Sequence, residues 1–120
     1  MNKTMKEKER ILVMNGSRIL QIEKDGQWAN GKVTRAGSLK PGIYNLYSAE
    51  SADPTKTHTG TILHADKHVI YQTIGKKIVK HDTASFGDDK PDVGEHLSVR
   101  YIKGQAQTSP AEKIKHSLSR

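Results

Sequence analysis

Apolar residues occur along this chain in short runs, and the runs are separated by residues that favour tight turns. Ile11–Met14 and Ser17–Ile22 flank Asn15-Gly16. Asn-Gly between apolar runs predicts a β-hairpin, because both residues accept positive φ. Asp25-Gly26 predicts a second turn of the same kind, and one helical turn is predicted at Lys32–Ala36.

The second half of the chain repeats this arrangement of short strands. Residues 61–64 and 68–74 are predicted strands joined by the tight connection Ala65–Lys67, and Gly75–Lys77 predicts the next turn. Residues 97–101 alternate between apolar and polar types, which predicts a strand with one apolar face. The fold class that this pattern predicts is mainly β, a small antiparallel barrel or sandwich with at most short helices.

Composition indicates that part of the 120 residues lies outside the folded core. Hydrophobic residues make up 33% of the chain and aromatic residues 5%, both low values for a globular domain. Residues 1–9 are rich in lysine and glutamate, and residues 105–120 are polar and contain a proline. We therefore predict a flexible N-terminus at 1–9, one β-domain at 10–104 and a flexible basic tail at 105–120.

Several classes of protein are disfavoured by what the chain lacks. The chain contains no run of 18 apolar residues, so no transmembrane helix is predicted. The first ten residues contain no apolar segment typical of a signal peptide. A cytoplasmic location without membrane contact is therefore expected. The chain has no cysteine, which excludes disulfides, thiolate metal sites and cysteine nucleophiles.

The charge balance favours anionic partners. The net charge is +7 and the isoelectric point is about 9.7, so nucleic acid could be bound through phosphate neutralisation. The sequence predicts a binding surface made of Lys67, His68, Lys76, Lys77, Lys80 and His81, extended by Arg100. Trp28 is predicted either to anchor a partner or to cover the open end of a small barrel. A plain solvated surface is the alternative, because lysines at turns and edges also prevent association between sheets.

Two groups of residues suggest chemistry that their spacing does not support. His64, Asp66 and His68 resemble a metal cluster, but on a hairpin they need not converge, so we predict no metal site. His81-Asp82 with Ser85 suggests a hydrolase, yet adjacent strand residues point to opposite faces. The glycines fit no phosphate-binding fingerprint. We therefore predict no catalytic residue and no cofactor.

Four segments in a fixed order resemble the KfrB family of plasmid-encoded proteins. They are Gly60–His64, Val69–Gly75, Val79–Asp82 and Gly94–Tyr101. In that family a strand follows a glycine, a tyrosine-glutamine segment ends at a glycine, a valine-x-histidine-aspartate step follows, and a glycine introduces the last strand. The resemblance implies no active site, and the residues that mark the domain are Gly60, Tyr71, Gln72, Gly75, Val79, His81, Asp82 and Gly94.

The resemblance also implies a role in the stable inheritance, partition or conjugation of plasmids. We therefore expect a non-enzymatic binding module that acts through a basic surface on proteins of plasmid maintenance or transfer. The alternative is a DNA-binding accessory protein that uses sequence-independent phosphate contacts. A small hydrolase is the least supported of the three hypotheses.

Overall fold

The fold is mainly β and sandwich-like, as the sequence predicts, and it is not a closed barrel. A computed structural model of the chain describes residues 8–37 and 39–110. Its strands are β1 (Glu9–Met14), β2 (Ser17–Lys24), β3 (Gln27–Arg35), β4 (Gly42–Asn45), β5 (Glu50–Ser51), β6 (His58–Ala65), β7 (Val69–Ile74), β8 (Lys77–Asp82), β9 (His96–Ile102) and β10 (Gln105–Pro110). Short 3-10 helices occupy Leu46–Ser48 and Thr83–Phe86. In the residues described, no helix is long and apolar enough to cross a membrane.

The first four strands form the N-terminal sheet, in the order β3-β2-β1-β4. The predicted hairpin at Asn15-Gly16 is confirmed: both residues have positive φ, and Met14 pairs with Ser17. Asp25-Gly26 closes the β2–β3 hairpin in the same way. The helical turn predicted at Lys32–Ala36 is wrong. The segment continues β3 as far as Arg35 because its β-branched residues, such as Val33, pair with β2.

The remaining strands form the C-terminal sheet, in the order β10-β9-β6-β7-β8-β5. All its pairs are antiparallel except β5 with β8. The predicted tail boundary at residue 104 needs correction, because Gln105–Pro110 forms β10 and pairs with β9. β10 is an edge strand that buries Ala106 alone, which explains its polar sequence. β1 also begins at Glu9, inside the segment predicted to be flexible. Residues 1–7 and 111–120 lie outside the described part.

The C-terminal sheet carries an apolar cluster on each face. The cluster between the two sheets contains Ile11, Val13, Ala36, Leu39, Leu46 and Leu63, with Tyr44, Tyr71 and Ile78 packed against it. The second cluster lies on the other face of the C-terminal sheet, and it contains Ile62, Ile70, Phe86, Leu97, Val99 and Ala106. Removal of this apolar surface from water is the main favourable contribution to folding.

A buried arginine also connects the two sheets. Arg18 in β2 is 5% exposed, and its Nε donates to the carbonyl oxygen of Leu63 in β6 at 2.8 Å. Its two terminal nitrogens donate to Thr34 Oγ1 and to His64 Nδ1. Burial lowers the pKa of Arg18. Because a guanidinium can only donate hydrogen bonds, the two acceptors in β6, Leu63 and His64, fix how β2 sits on β6.

Candidate binding surfaces

The structure separates four of the predicted basic residues into two groups at opposite ends of strand β7. Lys67 and His68 lie in the turn between β6 and β7, whereas Lys76 and Lys77 lie at the turn between β7 and β8. All four are exposed. β7 has six residues, so the two turns are about 20 Å apart. The single basic surface predicted from the sequence is therefore corrected to two separate sites.

The other predicted residues of that surface differ in burial. Lys80 and Arg100 are exposed, and they lie on β8 and β9 next to His81 and Tyr101, whose side chains are in contact. His81 is only 2% exposed, and burial, with a smaller contribution from His58, lowers its pKa to about 4. Its place in a charged binding surface is therefore wrong. Along β8, Lys80 and Asp82 face solvent while His81 faces the core.

His81 belongs to a buried chain of hydrogen bonds whose direction is fixed. The side-chain nitrogen of Gln72 lies 3.1 to 3.3 Å from the carbonyl oxygens of His58, Gly60 and Leu97. The Gln72 oxygen must then accept from Nε2 of His81, at 2.9 Å. Nδ1 of His81 is consequently an acceptor, and the Tyr101 hydroxyl donates to it at 2.6 Å. Burial, with a smaller contribution from Asp82, raises the pKa of Tyr101 to about 12, so this donor stays protonated.

This chain leaves His81 without the geometry of a general base. Ser85 and Lys80 line a concavity of about 400 Å³ beside His81, yet among the described residues no hydrogen bond joins His81 to Ser85 or Asp82. Both imidazole nitrogens are already committed to Tyr101 and Gln72. A nucleophilic serine needs a base within hydrogen-bond reach. The arrangement therefore organises the interior of the C-terminal sheet, and this favours the interpretation of His81 as a structural residue.

The buried imidazole predicts that stability depends on pH. The pKa of His81 is 6.5 when unfolded and about 4 when folded, so the unfolded chain binds more protons between these values. The contribution of neutral His81 to the free energy of unfolding should therefore be fully present above pH 6.5. The free energy of unfolding should fall by on the order of 2 kcal/mol as the pH drops to 4. Chemical denaturation at a series of pH values measures this. His81→Gln should flatten the profile and the exposed His68→Gln should not; equal profiles for wild type and His81→Gln would contradict the assignment.

The metal-like residues of the β6–β7 turn have other partners. Nδ1 of His64 accepts from Arg18, and burial followed by the Arg18 charge lowers the pKa of His64. Oδ1 of Asp66 accepts from the backbone N–H groups of His68 and Val69, both at 2.8 Å. Asp66 therefore caps the turn as in a local side chain–backbone motif.

Three of the exposed large apolar side chains, those of Met14, Val33 and Ile43, lie on the N-terminal sheet. We call the side turned away from the C-terminal sheet the outer face. Strand register places one apolar row across all four strands of this face, in the order Val33, Ile19, Leu12 and Ile43. Val33 is 58% exposed and Ile43 57% exposed, and they form the two ends of the row. Leu12 and Ile19 between them are partly buried. A continuous apolar row with exposed ends is typical of a docking surface.

Aromatic and cationic side chains lie next to this row on the outer face, towards the β2–β3 turn. The rings of Trp28 and Tyr47 stack with centroids 6.5 Å apart. The Arg10 guanidinium lies 4.0 Å from the centre of the Trp28 ring, and its Nε donates to Gln21 at 2.7 Å. The Lys8 ammonium lies 5.1 Å from the Tyr47 ring. Tryptophan, tyrosine and arginine are the residues most enriched at energetically important interface positions. Trp28 lies on a face of the N-terminal sheet, and because the fold is not a closed barrel, it does not cover a barrel end.

One feature of the sequence indicates the apolar outer face: the apolar run in β1 does not alternate with polar residues. Ile11–Met14 is a continuous apolar run, so both faces of β1 are apolar: Ile11 and Val13 enter the core, while Leu12 and Met14 point outward. An antiparallel strand with one solvated face normally alternates between apolar and polar residues. The second apolar face of β1 is therefore the signal in the sequence for an apolar outer face.

Comparison with known proteins places these features in a family. The family model described as KfrB Domain matches residues 57–110. Protein TraB of Escherichia coli is 36% identical over 102 residues, a match that covers 82% of this chain and 68% of TraB. The chain belongs to the KfrB-domain family of plasmid-encoded proteins. The resemblance inferred from the sequence is thus confirmed.

The two matches cover different parts of the fold. The KfrB domain spans most of the C-terminal sheet, from just before β6 to the end of β10, and therefore includes the Gln72–His81–Tyr101 chain. A match covering 82% of the chain extends into the N-terminal sheet. TraB therefore shares sequence with part of the sheet that carries the outer face as well as with the KfrB domain.

Proposed function

We propose that this chain is a non-enzymatic binding module of plasmid maintenance or transfer, and that it binds a protein partner through the outer face of its N-terminal sheet. The observation that supports this most is the exposed row from Val33 to Ile43 beside the stacked pair Trp28 and Tyr47. Membership of a plasmid-encoded family supports the biological setting. The module acts in the cytoplasm and needs no cofactor.

The charges beside the row indicate what kind of protein surface fits it. Arg10 and Lys8 lie against the aromatic rings, and Arg35 is on the same side of β3 as Val33. Glu23 opposes Trp28 on this face. Electrostatic complementarity favours a partner that combines apolar side chains with acidic groups around them. Arg10 keeps its guanidinium over the indole ring, so its planar face is already oriented before binding.

The test is capture of a plasmid-encoded protein by the tagged chain. The chain should capture the same protein from nuclease-treated extracts of cells that carry the encoding plasmid and not from extracts of cells cured of it. Val33→Glu should reduce capture by about tenfold or more, because a charge is then placed in the apolar row. It should change stability by no more than about 0.5 kcal/mol, since position 33 is exposed on an edge strand.

Ile102→Glu is the matched control. Ile102 is also apolar, 46% exposed and on a strand, but it belongs to β9 of the C-terminal sheet. This variant should capture the partner as well as the wild type does. Loss of capture in Ile102→Glu with retention in Val33→Glu would place the interface on the other sheet. Loss of all capture after nuclease treatment would favour the DNA-binding alternative.

A further inference from the structure

A groove follows the seam between the two sheets at the end where Lys76 and Lys77 lie. It has two concavities, of about 320 and 390 Å³. Tyr44 in β4 and Gly75 in the β7–β8 turn line both, so the concavities adjoin and form one groove. Cavities of a few hundred cubic ångströms hold small organic molecules. Each half of the groove is open to solvent on one side and has room for a unit of about that size.

Positive charge dominates the groove. Lys76 and Lys77 line its first half and Lys40 lines the second, whereas Glu50 is the one carboxylate among the described residues that line either half. In the described part of the chain, none of the three lysines forms an ion pair. These ammonium groups are therefore free to bind an anion that enters the groove. Opposite charges brought together in a partly enclosed site interact more strongly than on an open surface.

Neutral polar groups in the groove are also available. Asn45 lines the first half and Thr73 the second, and no hydrogen bond of either side chain occurs within the described residues. By contrast, Thr61 Oγ1 lies 3.0 Å from His96 Nδ1 and is already paired. Each half of the groove thus combines at least one free ammonium group with a free amide or hydroxyl group. That combination suits a ligand with repeated anionic and polar groups.

We propose that this groove binds single-stranded nucleic acid, with Lys40, Lys76 and Lys77 neutralising successive phosphates. Two adjoining compartments fit consecutive units of an extended polymer, and the Tyr44 ring in their common wall offers a surface for base stacking. A double helix is too wide to enter concavities of this size. The described residues also contain no α-helix that could lie in a major groove. The net charge of +7 supports approach of a polyanion.

This inference goes beyond the proposed function, because it assigns a second partner class to a different surface. Val33 and Trp28 on the outer face do not line the groove. The two surfaces approach each other at Ile43, which belongs to the apolar row and also lines the first half of the groove. Variants at Ile43 are therefore unsuitable for separating the two activities.

The test is fluorescence anisotropy with a labelled oligothymidylate at low salt, followed by a salt titration. The double variant Lys76→Gln with Lys77→Gln should bind about tenfold more weakly than the wild type or worse. The slope of log affinity against log salt should fall in magnitude by about 1.4, since each phosphate contact on a single strand contributes about 0.7. The double variant Lys67→Gln with Lys80→Gln removes the same charge outside the groove and should change affinity less than about threefold.

Each remaining outcome decides against the inference. Equal weakening by the two double variants would show that binding depends on total charge and not on the groove. Duplex DNA of the same length that binds as tightly as the single strand would exclude the groove as the site. Absence of binding to the oligothymidylate at low salt would overturn the inference outright. Val33→Glu should bind the oligothymidylate as the wild type does, so a failure here is distinguishable from a failure of the protein-binding proposal.

Discussion

Gly60→Ala is expected to destabilise the protein by about 3 kcal/mol or more, a large fraction of the total stability of a small domain. Gly60 is buried in β6, and a Cβ atom at this position would lie 1.8 Å from the carbonyl oxygen of Thr73 and 3.2 Å from the side chain of Ile74. Backbone atoms cannot move aside as a flexible side chain can. The methyl group would therefore push β6 and β7 apart and weaken the centre of the C-terminal sheet. Denaturant unfolding monitored by circular dichroism measures the loss.

Gly31→Ala is the matched control for this change. Gly31 also lies in a strand, β3, but an added Cβ would approach only the carbonyl oxygen of Leu20, at 3.2 Å. Relaxation by a few tenths of an ångström relieves that contact, and position 31 is exposed. The control should lose less than about 1 kcal/mol. Similar losses for the two variants would mean that β6 and β7 are not packed as closely as described.

Gln72→Leu is expected to cost about 2 to 4 kcal/mol, because it removes both ends of a buried amide. Leucine has similar size, so the change creates little cavity. It leaves the Nε2–H group of His81 without an acceptor and removes the donor that faces three carbonyl oxygens. A buried donor that loses its partner costs the full desolvation penalty. The free energy of unfolding from urea titration gives the cost.

Gln107→Leu provides the comparison for the glutamine change. Gln107 is exposed on β10 and lies opposite Arg100 in the β9–β10 pair. The same chemical change there should alter stability by no more than about 0.5 kcal/mol. A loss in Gln72→Leu no larger than that in the control would contradict the hydrogen-bond chain. It would also mean that the imidazole nitrogens of His81 are not committed to Gln72 and Tyr101.

Local turn chemistry explains why much of the fold could be predicted from the sequence. Asn15-Gly16 and Asp25-Gly26 need positive φ, and this requirement acts within a few residues. β10 could not be predicted in this way. An edge strand with one buried side chain needs no apolar alternation, so Gln105–Pro110 resembles a loop until its pairing with β9 is known. The segment 32–36 was predicted wrongly for a related reason, since pairing with β2 decides its conformation.

The candidate sites were harder to predict than the fold, because they depend on contacts between distant segments. His81 resembles a surface residue in a lysine-rich stretch, and its burial follows from Gln72 and Tyr101 on two other strands. The outer face combines residues of all four N-terminal strands, so strand order and register must be known before it can be recognised. Lys76 and Lys77 are predicted from the sequence to bind a partner and stay a prediction, whereas the position of Lys40 in the same groove depends on the packing of the two sheets.

Site-specific photo-crosslinking in cells that carry the encoding plasmid tests the proposed interface most directly. p-Benzoylphenylalanine in place of Val33 puts the reactive group in the apolar row of the outer face, and the same group in place of Ile102 puts it on β9. Both positions are exposed, so both variants should fold. We expect the position 33 probe to form an adduct with a plasmid-encoded protein, identified by mass spectrometry, and the position 102 probe to form none. An adduct from position 102 alone, equal adducts from both positions or no protein adduct at position 33 would contradict the proposal that the outer face binds the partner.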